Sequence, residues 1–223
     1  MLPFQPATVA EALLQVLDQA AAAHGRACLA IPGGRSPGPV LREMARQCTP
    51  FLRQRLHLLW ADERAVPPAH AERNDAPTLA AWSEGGALPA AVHAMPAELP
   101  DLDAAAAAYA VTLAEASQGR GCDAVLLGMG EDGHVASLFP DHPGLDELDP
   151  VFAIRDAPKP PPCRLSLSLG ELSRARLIAV LALGAGKREA TARWRRGGRS
   201  RSLPVSLLPA GPTVLFADEA AAG

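Results

Sequence analysis

The sequence predicts an α/β fold: one doubly wound, mostly parallel sheet flanked by helices, formed by residues 1–223 as a single domain. Three observations predict it. Short apolar runs alternate with helix-length periodic segments along the chain, the pattern of βα units. Several of those runs pass directly into glycine-rich or charged turns, where open α/β sheets place their ligands. No repeat, low-complexity linker or composition break divides the 223 residues, a length that one large domain can hold.

The elements follow in order. Thr8 is expected to cap a first helix, with Glu11 as its capping-box partner. Val9, Leu13, Val16, Leu17 and Ala20 fall on one helical face, and Gly25 closes the helix. Residues 27–31 read as a buried strand, 32–37 as a glycine loop and 40–46 as a helix. Residues 56–60 form another strand, followed by three consecutive charges in a turn that prolines close. Asn74-Asp75 caps a helix through Trp82, and His93 reads as structural. Asp101 or Asp103 starts an alanine-rich helix through Ser117, ended by Gly119 and Gly121. The central strand is 122–127. Residues 135–139 resemble the start of a helix that Pro140 stops, and 141–150 a loop with His142 at the surface.

A strand is expected at 151–155. Residues 159–164 are rigid extended chain that fixes the position of Arg164. Strict alternation over 165–169 predicts a half-buried strand, at an edge or antiparallel. A buried strand at 175–183 leads into a helix from Lys187 to Trp194. A last strand spans 213–216 and a tail 217–223.

Charge and composition narrow the function. A net charge of −3 argues against general nucleic-acid binding. The basic residues between Arg193 and Arg201 read as complements to a helix C-terminus and its loop. No apolar run reaches the roughly 18 residues of a membrane span, and residues 1–6 lack a secretory signal's basic and apolar regions. Cys28, Cys48, Cys122 and Cys163 are widely separated without a CxxC, so no zinc site is expected. Cys28 and Cys122 read as buried thiols, and the cytoplasm is the expected compartment.

Two loops carry the chemistry. In 125–140, Gly128, Gly130 and Gly133 punctuate a turn that holds Glu131, Asp132 and His134. In 31–37, Gly33 and Gly34 expose backbone N–H groups ahead of a helix N-terminus, a ready anion site that Arg35 and Ser36 extend with side-chain donors. This loop is neither GxGxxG nor a P-loop, so neither a dinucleotide nor ATP is indicated. Lys187 sits at a helix start, poorly placed for the dipole unless an anion shares the site.

Five motifs in order, IPGGRSP at 31–37, WADERAVP at 60–67, LGMGEDGHVASLFP at 127–140, PKPPPCRLSLSL at 158–169 and GAGKREA at 184–190, make the chain resemble the 6-phosphogluconolactonase family nearly end to end. The resemblance implies a Rossmann-like parallel sheet shared with glucosamine-6-phosphate deaminases, and hydrolysis of a 6-phosphorylated δ-lactone with no metal and no cofactor. It implies that His134 activates water and then protonates the leaving ring oxygen, a task suited to a side chain with an ordinary pKa near 6.5. Asp132 or Asp62 would orient the imidazole or hold sugar hydroxyls. Arg64 and loop amides would meet the oxyanion. Arg164, Lys187 and the loop of Gly33, Gly34, Arg35 and Ser36 would clamp the phosphate. A monomer without nucleic-acid or membrane partners is expected.

Two departures stand out. Pro32 and Arg35 replace hydroxyl residues usual in the first motif, and Arg73-Asn74 stands where Ser-Asn is usual. Two rival functions fit the same fold. A sugar-phosphate isomerase/deaminase would need further carboxylates, yet residues 135–140 contain none. A non-catalytic sugar-phosphate sensor would be expected to carry a DNA-binding segment, for which the early first helix leaves no room.

Overall fold

The structure, a computed structural model, describes residues 1–34 and 36–223. It opens with a two-residue strand, β1 (Leu2–Pro3), and α1 (Pro6–His24). The helix starts earlier than Thr8. Proline's fixed φ suits the first helical position, so Pro6 begins the helix and Thr8 lies inside the first turn. Gly25, at φ 75°, ends it as expected. Next come β2 (Ala27–Ile31), α2 (Gly38–Gln47), the single turn α3 (Pro50–Arg53), β3 (Leu56–Trp60) and a short strand β4 (Asp62–Arg64). Then follow α4 (Asp75–Gly85), β5 (Ala91–His93), α5 (Leu102–Ser117) and β6 (Ala124–Gly128). Asp101 caps α5 by accepting the amides of Asp103 and Ala104.

After a 3-10 turn at Pro143–Asp146 come β7 (Val151–Ile154), β8 (Arg164–Leu167), α6 (Leu169–Leu172) and β9 (Leu177–Ala182). A second 3-10 turn, Ala185–Lys187, runs into α7 (Arg188–Arg195). The chain finishes with β10 (Thr213–Ala217) and α8 (Glu219–Ala222), a capped helical turn where only a tail was expected.

Seven strands form a parallel sheet in the order β1-β10-β9-β6-β2-β3-β5. From β2 the chain builds outward through β3 to β5, and from β6 outward through β9 to β10, with the N-terminal β1 at the edge beyond β10. The direction therefore reverses between β2 and β6, and the loops after these two strands diverge to open a crevice. Helix α1 buries Val9, Leu13, Leu17 and Ala20 against the sheet cluster. Each such leucine contributes about 1.5–3 kcal/mol of burial.

A second sheet, β4-β8-β7, was not anticipated; its antiparallel pairing is one of the two placements that the alternation over 165–169 predicted. The charged residues 62–64 are thus a strand, not a solvated turn, and Asp62 and Glu63 are buried. The alternation in β8 predicted one solvated face. The strand is instead the middle one of three and is buried throughout. Its hydroxyl positions tolerate burial because Ser166 Oγ accepts the Ser137 amide at 3.2 Å and donates to the Leu167 carbonyl at 3.0 Å.

The helix expected at 135–139 does not form. Val135 bridges back to Met129 and forward to Leu138, and Ala136 takes φ 49°. These tight turns claim the amides that a helix would use. His142 is also less exposed than expected. Its Nδ1 accepts the Gly144 amide and its Nε2 pairs with Asp156 at 2.9 Å.

Candidate active site

The crevice between β2 and β6 holds a cavity of about 180 Å3. Gly33 and Gly34 come from the loop after β2, Asp62 and Arg64 from β4, and His134 from the loop after β6. Arg164 arrives from β8 and Lys187 from the turn before α7. With Asn74 from the start of α4, six separate described segments converge on one hollow. A larger hollow of about 430 Å3 beside Met1 and Trp194 contains none of these side chains. Of the other expected residues, Asp132 stands behind His134, Ser36 is half-buried outside the lining, and Arg35 lies outside the described residues.

The loop after β6 is closed by its own backbone. The Gly130 amide donates to the His134 carbonyl at 2.8 Å, and the Gly133 amide to the Gly130 carbonyl at 3.1 Å. The reversal brings the imidazole so close over Gly130 that a Cβ there would lie 2.0 Å from His134 Nδ1, so only glycine fits. Asp132 Oδ1 lies 2.5 Å from His134 Nδ1 and 3.3 Å from the His134 backbone nitrogen. Its Oδ2 lies 3.1 Å from Lys159 Nζ. Burial alone would raise the Asp132 carboxyl. The hydrogen bond and charge of His134, with Lys159, outweigh it and hold the group well below the usual carboxylate range. With a carboxylate on Nδ1, the imidazole carries its hydrogen there and leaves the Nε2 lone pair bare.

Asp62 does not touch the imidazole. Its Oδ2 accepts from Ser137 Oγ at 2.8 Å, and its backbone carbonyl accepts from Asn74 Nδ2 at 2.9 Å. Of the two carboxylates that the sequence left open, Asp132 is the one in contact with the imidazole, and Asp62 faces the hollow from another wall. The His134 ring also packs on buried Phe139, centroids 4.9 Å apart, and Arg164 lies over the same ring at 5.3 Å.

The cations differ in freedom. Arg164 is buried, and its guanidinium donates to the carbonyls of Pro161 at 3.0 Å and Lys159 at 2.9 Å. It braces the proline-rich loop as well as lining the hollow. Arg64 donates through Nη1 to the Glu72 carbonyl at 3.0 Å, and its buried Nε has no partner among the described residues. Lys187 is lowered by burial and by Lys159, while Glu131 and Asp132 pull it upward. An anion in the hollow would relieve the crowding of like charges.

Four residues of this arrangement were not singled out by sequence. Asn74 read as a helix cap and as the second residue of the Arg73-Asn74 departure, with no role in the site. Its side chain instead reaches Asp62 and lies so close to Gly33 that a Cβ there would stand 1.7 Å from Asn74 Oδ1. Lys159 read as rigid chain, and Ser137 as part of a helix. Glu63 was one charge among three. It accepts the amides of Arg64 at 2.7 Å, Asn74 at 2.8 Å and Asp75 at 3.0 Å. Burial pushes its carboxyl up to about 7, while the amides and Arg73 pull the other way.

The family model described as glucosamine-6-phosphate isomerases/6-phosphogluconolactonase matches residues 6–216. The chain belongs to this family. A Streptomyces coelicolor protein named 6-phosphogluconolactonase is 38% identical over 216 residues, covering 90% of this chain and 82% of its own length. The human 6-phosphogluconolactonase is 36% identical over 226 residues, covering 95% and 87%. The crystal structure of 6-phosphogluconolactonase from Thermotoga maritima matches with a TM-score of 0.84 at 24% identity, over 98% of this chain and 97% of that one. That likeness establishes the family's mostly parallel α/β fold here. Among the described residues there is no group of three or more His, Cys, Asp or Glu side chains arranged to hold a metal ion. None of the described helices is long and apolar enough to cross a membrane.

Proposed function

We propose that this chain hydrolyses 6-phospho-D-glucono-1,5-lactone to 6-phosphogluconate, a step of the oxidative pentose phosphate pathway. The observation that carries the reading is the Asp132–His134 pair, with Nδ1 engaged at 2.5 Å, set in a hollow rimmed by Arg64, Arg164 and Lys187. The relatives that share the family and are named for this activity support it.

His134 Nε2 removes a proton from water, and the hydroxide oxygen bonds to the lactone carbonyl carbon. The carbonyl electrons move onto its oxygen, where Arg64 and loop amides receive the negative charge. Collapse of this intermediate restores the carbonyl and breaks the bond to the ring oxygen. That oxygen takes the proton back from the imidazolium. Asp132 keeps the imidazole in the correct tautomer and stabilises its charged form. Lys187, Arg164 and the amides of Gly33 and Gly34 hold the 6-phosphate, with Arg35 and Ser36 at the same loop. Residues 1–223 act as one domain, as a cytoplasmic monomer, without metal or cofactor.

The test is a hydrolysis assay on 6-phosphoglucono-δ-lactone with the spontaneous rate subtracted. The expected result is an acceleration that a chelator leaves intact. A rate abolished by EDTA and restored by zinc would overturn the metal-free mechanism.

A further inference from the structure

Beside the hollow lies a charge cluster centred on buried Arg73 that the mechanism does not use. Arg73 is 3% exposed in its side chain. Its guanidinium meets Asp75 Oδ2 through Nε at 3.2 Å and Nη2 at 2.7 Å. It meets Glu98 Oε2 through Nη1 at 3.0 Å and the carbonyls of Met95 and Val66 at 3.2 Å and 3.3 Å. Glu63 lies 3.6 Å from its Nε. One planar cation thus ties together the chain after β4, the start of α4 and the loop after β5, a task that suits the rigid fork of arginine.

Between Arg73 and Asp75, both held by this cluster, stands Asn74. Glu63 accepts its backbone amide, so the main chain there is pinned from two sides. The Asn74 side chain then projects into the hollow, 2% exposed as a residue, bonded to Asp62 and in contact with Gly33. Asn74 is therefore the piece that fixes Asp62 relative to the glycine loop.

We infer that Arg73 is a positioning residue for the hydrolysis, acting through Asn74 to hold Asp62 and the Gly33–Gly34 loop in register around the substrate. This rests on the function proposed above. Arg73 touches neither the hollow nor His134, so its effect on turnover runs through the Asn74 side chain. Loss of the fork also leaves three carboxylates, Glu63, Asp75 and Glu98, with less compensation, which loosens the same stretch of chain.

The experiment is a double-mutant cycle on the full chain with the 6-phosphorylated lactone, reading kcat and KM well below the melting temperature of every variant. Arg73→Lys keeps the charge and loses the fork, and Glu98→Gln removes one leg of the cluster as an independent perturbation. Arg73→Lys should lower kcat/KM roughly tenfold, the scale of a small misplacement of binding groups, and Glu98→Gln by less. Asn74→Ala should lower it at least as far. In the Asn74→Ala background, neither Arg73→Lys nor Glu98→Gln should lower it further. The inference is overturned if the cluster variants shift only the melting temperature, if Asn74→Ala leaves the kinetics unchanged, or if the losses multiply. Absence of turnover in the unaltered chain would remove the function and this inference together, whereas turnover with multiplying losses would remove only the inference.

Discussion

Replacing Asp132 separates the two roles assigned to it, because alanine and asparagine fail differently. Alanine removes the partner of His134 Nδ1, a charge-assisted contact at 2.5 Å. Such contacts contribute about 1.5–3 kcal/mol, so turnover should fall roughly ten- to a hundred-fold. The imidazole then still samples both tautomers. Asparagine must point its oxygen either at the His134 side or at Lys159. Toward His134 the oxygen would regain the backbone nitrogen at 3.3 Å, a neutral bond worth about 0.5–1.5 kcal/mol. Toward Lys159 it meets an ammonium 3.1 Å from the present Oδ2, a charge-assisted contact whose value lies at the lower end because Lys159 is 45% exposed. The second orientation wins. It aims the amide NH2 at His134 Nδ1, which then accepts, and the hydrogen moves to Nε2, where the base is needed. Asp132→Asn should therefore be slower than Asp132→Ala, toward the full 10²–10⁴-fold worth of a general base. The assay is steady-state lactone hydrolysis at neutral pH with the spontaneous rate subtracted. An asparagine variant as fast as the alanine variant, or faster, would refute the tautomer argument.

Other outcomes follow from the same geometry. Lys187→Ala should weaken binding of the phosphorylated lactone roughly ten- to a hundred-fold and spare the unphosphorylated one, as KM on the two substrates will show. Arg164→Ala should impair both substrates and lower the melting temperature, because it also strips the Lys159 and Pro161 carbonyls of a donor. His57 and His93 lie 3.0 Å apart, nitrogen to nitrogen, on β3 and β5, and burial lowers both below the ordinary histidine value, His57 further through His93 and Arg26. The unfolded chain therefore takes up these protons first. The pair's contribution to stability should be full above about pH 6.5 and decline as pH falls below it, and His93→Gln should flatten that decline in thermal melts.

Much of the sheet was legible because parallel strands are buried on both faces and read as plain apolar runs. Strands β2 and β3 appear where 27–31 and 56–60 predicted them. The second sheet was illegible because its strands carry polar residues whose burial only tertiary partners permit. Asp62 needs Ser137 and Asn74, and Glu63 needs the amides of Asn74 and Asp75, 11 and 12 residues on, beside that of its neighbour Arg64. The segment 135–139 has the composition of a helix. Its amides go instead to a tight reversal that glycines at 130 and 133 impose, and no local propensity encodes that. The site was legible where loops announced themselves, at Gly33, Gly34 and His134. It was silent at Asn74 and Lys159, whose neighbours in space are far away in sequence.

The most direct test of the account is His134→Ala, assayed on 6-phosphoglucono-δ-lactone across pH with folding checked by circular dichroism. His134 lines the hollow with Nδ1 engaged by Asp132, so the variant should fold normally. Its turnover should fall about 10²–10⁴-fold, and the residual rate should lack the acid limb of the unaltered protein. A folded variant that keeps most of its turnover, or keeps the same acid limb, would contradict the account and pass the role of base to Asp62.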